Sequence, residues 1–200
     1  MGEMAEDRVY DDRREETVAY VASGQGVAAV RVASDRVGRF ALAERCLARD
    51  VAAAGGRVAV ATDEDVLAGP DPFEPLGFGP AVAVTVESKR GVRGILAAGE
   101  DGRVARYRAA DESWETVGSV GEVRALERDL VAAADGVYRV FEGDLVHAGL
   151  DGARDVAANG APLAATDGGL YRLGNGWLCE REGAFTTVAA DADYHAADPS

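Results

Sequence analysis

The sequence predicts an all-β protein, a five-bladed β-propeller with four-stranded blades. Three observations predict it: a phrase that recurs at a nearly constant interval, strand-like segments around each copy, and a C-terminal segment that resembles the first strand of a unit. The clearest copies, residues 130–139 and 163–172, lead from a short apolar run through Asp-Gly into Tyr-Arg. A regular period of this size is typical of repeat architectures.

The repeat interval has the length of a propeller blade. Successive anchor residues are 39, 38, 34 and 32 positions apart, the anchors being Gly24, Asp63, Asp101, Asp135 and Asp167. Asp-Gly between two apolar runs is a signal for a tight hairpin turn. A unit of about 32 to 40 residues accommodates four short strands, as in a blade.

Four strands can be placed in each of the last two units. The fifth unit is expected to have strands at 153–159, 162–166, 169–173 and 177–181. The fourth unit repeats the order, with strands expected at 123–126, 130–134, 137–141 and 144–147. Both units therefore predict a meander of antiparallel strands.

The two ends of the chain predict how the ring closes. Residues 16–22 match the second strand of a unit, so the first strand of that unit is missing there. It is expected at 184–191, because this segment contains the Val-Ala-Ala sequence that also occurs in other first strands. A C-terminal strand that completes the first blade would close the ring and remove two exposed sheet edges. An open solenoid is the main alternative, but it would need distinct capping repeats. The expected organisation is an acidic segment at 1–15, one propeller domain at 16–195 and a short tail at 196–200.

The second unit departs from the pattern in a way that suggests a docking loop. Residues 69–80 hold four of the six prolines, and proline removes a donor from the strand ladder, so the outer strand of this blade should be irregular. Phe73 and Phe78 in this loop are expected to be exposed and to form a patch for a protein partner. Arg49 and Arg154, at the starts of two first strands, are further candidates for partner binding.

The charge balance limits the possible partners. The chain has 35 acidic and 21 basic residues, and only one of the basic residues is lysine. Such a composition is typical of a salt-loving archaeon, although a genome rich in G and C would also favour arginine. The net charge of −14 argues against nucleic-acid binding. No apolar run is long enough for a membrane helix and no secretory signal is seen, so a cytoplasmic location is expected.

Two groups of acidic residues are candidate sites at the face that carries the turns. Asp63, Asp101, Asp135 and Asp167 occupy corresponding turns, and converging carboxylates would suit calcium or magnesium, or a basic segment of a partner. The alternative is that Asp-Gly is simply the chemistry of a tight turn. Asp50 and Asp155 are expected at the mouth of the channel, where a carboxylate pair could serve a carbohydrate-active enzyme.

Residues 166–172 and 135–139 resemble the repeats of sensor-type and photosystem-assembly-type propellers. The whole chain is similar to an uncharacterised haloarchaeal β-propeller family. This resemblance implies a propeller and no established activity, so it supplies no catalytic residues. The expected function is a non-enzymatic interaction scaffold that binds a protein partner through one propeller face or the Pro-rich loop. A small-molecule or divalent-cation-binding propeller is the alternative, followed by a carbohydrate-active enzyme.

Overall fold

The described chain consists of β-strands joined by turns. The computed structural model describes residues 16–33, 36–89, 92–190 and 194–197, and no helix occurs in these ranges. Consequently, this part of the chain has no helix that could cross a membrane. The predicted acidic segment at 1–15 lies outside the described residues.

Five consecutive antiparallel sheets form five blades. Blade 1 has three strands, β1 (Glu16–Ser23), β2 (Gly26–Ala33) and β3 (Arg36–Glu44). Blade 2 contains β4 (Ala48–Ala54), β5 (Arg57–Thr62), β6 (Val66–Gly69) and β7 (Glu74–Pro75). Blade 3 contains β8 (Ala81–Lys89), β9 (Val92–Gly99), β10 (Arg103–Arg108) and β11 (Ser113–Ser119).

The last two complete blades follow the strand order that their sequences predict. Blade 4 contains β12 (Val123–Glu127), β13 (Leu130–Ala133), β14 (Gly136–Phe141) and β15 (Asp144–Gly149). Blade 5 contains β16 (Ala153–Ala157), β17 (Leu163–Thr166), β18 (Gly169–Leu173) and β19 (Trp177–Glu182). The five-bladed, all-β architecture is therefore confirmed, and β7, with two residues, is the irregular outer strand that the prolines predict.

The core lies between blades rather than inside one. The second strands β13 and β17 are buried at every position, because their side chains alternate between the two faces and a neighbouring blade covers each face. One cluster joins Leu96 and Val104 of blade 3 to Val131 and Val140 of blade 4. Small alanine and valine side chains fill these interfaces, which explains how a chain with few aromatic residues packs a propeller.

The predicted closure of the ring is not found. The C-terminal strand β20 (Thr187–Ala190) lies beside β16, in the position of a first strand. It pairs with β21 (Tyr194–Ala197), whereas β1 pairs with β2 and has no second partner in the described residues. Three residues separate β20 from β21, and so short a connection brings the two strands together at little entropic cost, so β20 gains a partner without reaching β1. The repeat pattern does not predict strand β21.

Candidate functional site

The first strands of blades 2 to 5 line a central cavity of about 490 Å³. Residues of β4, β8, β12 and β16 line it, together with Val188 of β20. Three carboxylates contribute to its wall, those of Asp50, Glu127 and Asp155. The structure thus brings together the two channel acids that the sequence singled out and adds Glu127, which no repeat signal identified.

A β-bulge recurs near the start of the first strand in blades 2 to 5. In β4 the register shifts between Ala48 and Asp50, so that Arg49 occupies the bulge, and β8, β12 and β16 have the same irregularity. A bulge redirects a side chain locally. Arg49 donates to the carbonyl of Ala81 in blade 3 at 3.4 Å and forms an ion pair with Glu100 at 2.5 Å.

The other bulge arginines make comparable contacts. Arg124 donates to the carbonyl of Ala153 at 3.3 Å, which links blade 4 to blade 5 in the same way. Arg154 forms an ion pair with Asp167. Arg49 and Arg154, predicted as partner-binding residues, are therefore both engaged in contacts within the propeller.

Asp50 and Asp155 hold neighbouring first strands together. One oxygen of Asp50 accepts from the N–H of Val51 and the other from the N–H of Val84 in the next blade, both at 2.8 Å. Asp155 repeats this with Val156 at 2.9 Å and with Val188 at 2.8 Å. All four carboxylate oxygens thus already accept a backbone N–H.

Burial shifts the titration of the channel carboxyls. Desolvation, reinforced by repulsion from Glu127 and Asp50, raises the pKa of Asp155 to about 6, although two backbone hydrogen bonds act in the opposite direction. Burial likewise raises the pKa of Asp50 and that of Glu127, in each case against backbone hydrogen bonding. The channel therefore contains three acids that resist ionisation, and both Glu127 and Asp50 contribute to the raised pKa of Asp155.

The four turn aspartates do not converge. Asp101 accepts from the backbone N–H of Arg103 at 3.1 Å, Asp135 accepts from the hydroxyl of Tyr138 at 2.9 Å, and Asp167 pairs with an arginine. Asp63 lies on another blade, where its backbone N–H donates to the carbonyl of Leu47. In the ranges that the structure describes, no three His, Cys, Asp or Glu side chains could hold a metal ion together. Each turn aspartate stays with its own blade, so the expected cation site is not assembled.

The Pro-rich loop is fixed to the propeller by Asp65. Its carboxylate accepts from four backbone N–H groups, those of Val66, Gly77, Phe78 and Gly79, at 2.6–3.1 Å. Downstream residues add to this attachment: the indole N–H of Trp114 donates to the carbonyl of Leu76 at 2.9 Å. A loop held this tightly is part of the interface between blades 2 and 3.

The expected exposure of the two loop phenylalanines is wrong. Phe78 is 7% exposed, because its ring packs edge-on against Trp114 at 4.7 Å and the guanidinium of Arg103 lies over it at 4.3 Å. Phe73 is half-buried against the cluster between blades 1 and 2. Contacts with strands 25 or more residues downstream cover Phe78, and the local sequence does not signal them.

Blade 1 carries the apolar surface that the loop was expected to provide. Phe40 is 79% exposed and Val37 is 73% exposed, and Val21 and Leu42 are exposed by about half. These four residues are called the blade-1 patch below. Exposed apolar clusters of this kind mark interaction sites.

Strand register places the blade-1 patch on one sheet face. Val21 is opposite Ala28, which is opposite Leu42, while Val30 is opposite Phe40 and Val32 is opposite Val37. Directly opposed residues share a face, so the patch continues across all three strands. The other face of blade 1 contacts blade 2 through Tyr20, Ala22 and Val27. Both faces of blade 1 therefore carry apolar side chains. Blade 2 covers one face, and within the described residues nothing covers the face that carries the blade-1 patch.

The family follows from a comparison with protein-family models. A model described as Beta-prop HVO_0234-like, beta propeller, matches residues 3–198. The chain belongs to this family. None of the curated proteins is similar enough in sequence to count as a relative.

Solved structures of low sequence identity share the fold. The extracellular domain of BT4673 from B. thetaiotaomicron has a TM-score of 0.68 and 14% identity, over 88% of this chain and 29% of that domain. The WD40 domain of Neurospora crassa Pan2 has a TM-score of 0.65 and 11% identity, over 92% and 70%. BBS1N, solved in complex with ARL6DN, has a TM-score of 0.59 and 14% identity, over 86% and 67%. The chain thus spans less than a third of the BT4673 domain, and these likenesses show the propeller fold.

Proposed function

We propose that the protein is a non-enzymatic interaction scaffold that binds a protein partner through the outer part of blade 1. The single observation that carries this proposal is the blade-1 patch, in which Phe40 and Val37 are more than two-thirds exposed. A propeller similar to WD40 domains is a rigid platform for such a surface, and one of the similar propellers, BBS1N, was solved with a bound protein. The docking surface proposed here is therefore on blade 1, whereas the sequence suggested the Pro-rich loop.

The hydrophobic effect would favour binding of a partner that buries the blade-1 patch. Burying one large apolar side chain contributes about 1.5 to 3 kcal/mol, so four such residues can support a specific interface once the cost of association is subtracted. In the complete blades, neighbouring blades bury the second strands, whereas the corresponding strand β1 exposes Val21. A protein partner would supply the missing cover.

The proposal predicts that capture of a partner depends on Phe40 and Val37. The tagged protein and its Val37→Ser/Phe40→Ser variant are expressed in the natural host, purified in about 2 M and about 0.2 M KCl, and compared by quantitative mass spectrometry. We expect a stoichiometric partner with the unmodified protein and at least tenfold less of it with the variant. Both salt concentrations are used because the acidic composition predicts a salt-dependent fold.

Blade 4 offers a matched control for this experiment. Phe141 and Val146 are 57% and 49% exposed, so Phe141→Ser/Val146→Ser makes the same chemical change elsewhere on the surface. The control should retain the partner. If both double variants capture the same proteins in equal amounts, the blade-1 patch is not the docking surface.

A further inference from the structure

Strand β3 presents the longest outer edge of the described blades. It is the last strand of its sheet and has nine residues, whereas the outer strands β7, β11, β15 and β19 have two, seven, six and six. Its first seven residues, 36–42, are all exposed. The register of β3 against β2 shifts between Val37 and Phe40, so this edge contains a bulge. Exposed edge strands present unpaired backbone groups to an extended segment of another chain, and partners use this mode of strand addition.

The same region is basic in an acidic protein. Between positions 31 and 49 there are five arginines and two acidic residues, although the whole chain has 35 acidic residues against 21 basic ones. Arg36 and Arg39 belong to the exposed part of β3 and alternate with the apolar side chains of Val37 and Phe40. Exposed arginine side chains recognise carboxylates, with which they can form paired hydrogen bonds.

Building on the proposed function, we infer that β3 binds an extended segment of its partner in which apolar residues alternate with Asp or Glu. The backbone of the segment hydrogen-bonds to the free edge of β3. Its apolar side chains contact Val37, Phe40 and Leu42, and its carboxylates contact Arg36 and Arg39. The binding surface thereby selects both for extended conformation and for negative charge.

The charges of β3 disfavour two other binding partners, a second copy of this chain and a nucleic acid. If two copies of the chain paired antiparallel through the exposed residues 36–42, Arg39 of one copy would face Arg39 of the other, and like charges opposite each other destabilise a strand pair. A nucleic acid would be attracted by the arginines, but it would meet a net charge of −14 and would leave the exposed apolar side chains unused. An extended, acidic and partly apolar peptide matches the exposed backbone edge of β3, its apolar side chains and its arginines.

Fluorescein-labelled decapeptides test this inference by fluorescence anisotropy with the full chain. The first peptide alternates valine and glutamate, the second alternates valine and lysine, and the third is the glutamate peptide with alternate backbone nitrogens methylated. In about 0.2 M KCl, and with the native β-sheet circular dichroism of the protein verified at that salt concentration, we expect the glutamate peptide to bind at least tenfold more tightly than either of the others. The Arg36→Glu/Arg39→Glu variant should reverse the preference between glutamate and lysine.

Matched variants and probes decide between the outcomes. Arg172→Glu/Arg181→Glu changes the charge of blade 5 equally and should leave the preference for glutamate unchanged. Equal affinity for the glutamate and lysine peptides, absence of glutamate-peptide binding, or tighter binding of a ten-nucleotide oligouridylate would each overturn the inference. So would a dimer, seen by light scattering, that Arg36→Glu/Arg39→Glu dissociates or stabilises.

The two proposals fail separately. Suppose that partner capture depends on Phe40 and Val37 but that the glutamate peptide binds no more tightly than the others. The blade-1 patch would then remain the docking surface, and binding by strand addition to β3 would be refuted. A clear peptide preference without any Phe40-dependent partner would refute the scaffold function alone.

Discussion

Replacing Asp65 by alanine is expected to lower the free energy of unfolding by about 3 kcal/mol, because one carboxylate accepts from four backbone N–H groups. Three of these belong to residues 77–79 of the Pro-rich loop, so the variant loses the anchor of the whole loop. Urea denaturation followed by tryptophan emission measures the effect, since Trp114 donates to the loop carbonyl of Leu76. Emission in the native state should also move to longer wavelength.

Asp71 provides the matched control within the same loop. It is exposed, so Asp71→Ala should change stability by no more than about 0.5 kcal/mol. Asp65→Asn keeps one accepting oxygen, so its free energy of unfolding should lie between those of Asp65→Ala and Asp71→Ala. Equal stability of Asp65→Ala and Asp71→Ala would contradict the role assigned to Asp65.

The second large effect concerns stability as a function of pH. The pKa of Asp155 in the folded protein is raised to about 6 from 3.8, so the folded state binds this proton more tightly than the unfolded state does. The associated stability is fully present below about pH 4 and is lost as the pH rises through about 6. At about 1.36 kcal/mol per pKa unit, ionisation of Asp155 should cost about 3 kcal/mol by neutral pH.

The Asp155→Asn variant isolates this contribution, because an amide at this position imitates the protonated acid at all pH values. We expect the variant and the unmodified protein to have similar stability at about pH 4, and the variant to be more stable by about 3 kcal/mol at about pH 7. Denaturation at several pH values across this range measures the difference. Asp167→Asn, at an exposed position, is the control, and a difference for Asp155→Asn that does not change with pH would contradict the assignment.

The repeat made most of the fold predictable from the sequence. Local turn chemistry determines the hairpins: the hydroxyl of Thr166 accepts from the N–H groups of Gly168 and Gly169 and donates to the Gly169 carbonyl. Thr62 forms the same kind of turn in blade 2. Threonine thus organises the turns of blades 2 and 5. The aspartates chosen as cation ligands are turn residues of four different sheets, so each of them remains on its own blade.

The channel acids were predictable because the hexapeptide Ala-Arg-Asp-Val-Ala-Ala begins at both 48 and 153. Both copies of the hexapeptide form the same bulged start of a first strand, and Asp50 and Asp155 both bridge to the next first strand. Glu127 lacks such a repeat. Its proximity to Asp155 arises from the closeness of the first strands around the channel, which no single unit encodes.

The exposure of aromatic residues could not be predicted from the local sequence. Phe78 lies in a loop rich in proline and glycine, yet residues of the next blade bury it. Phe40 lies in a nine-residue strand, yet it is exposed because no described segment covers that face of blade 1. Burial in a propeller depends on which blade packs next, and this information is distributed over the entire chain.

Hydrogen–deuterium exchange of the captured complex tests the central claim most directly. Amide exchange is measured by mass spectrometry for the protein alone and for the protein with its partner bound. Slower exchange in residues 36–44, with little change in residues 69–80 and around the channel, is the result that docking on blade 1 predicts. Protection confined to the Pro-rich loop or to the channel face, with β3 unchanged, would contradict it.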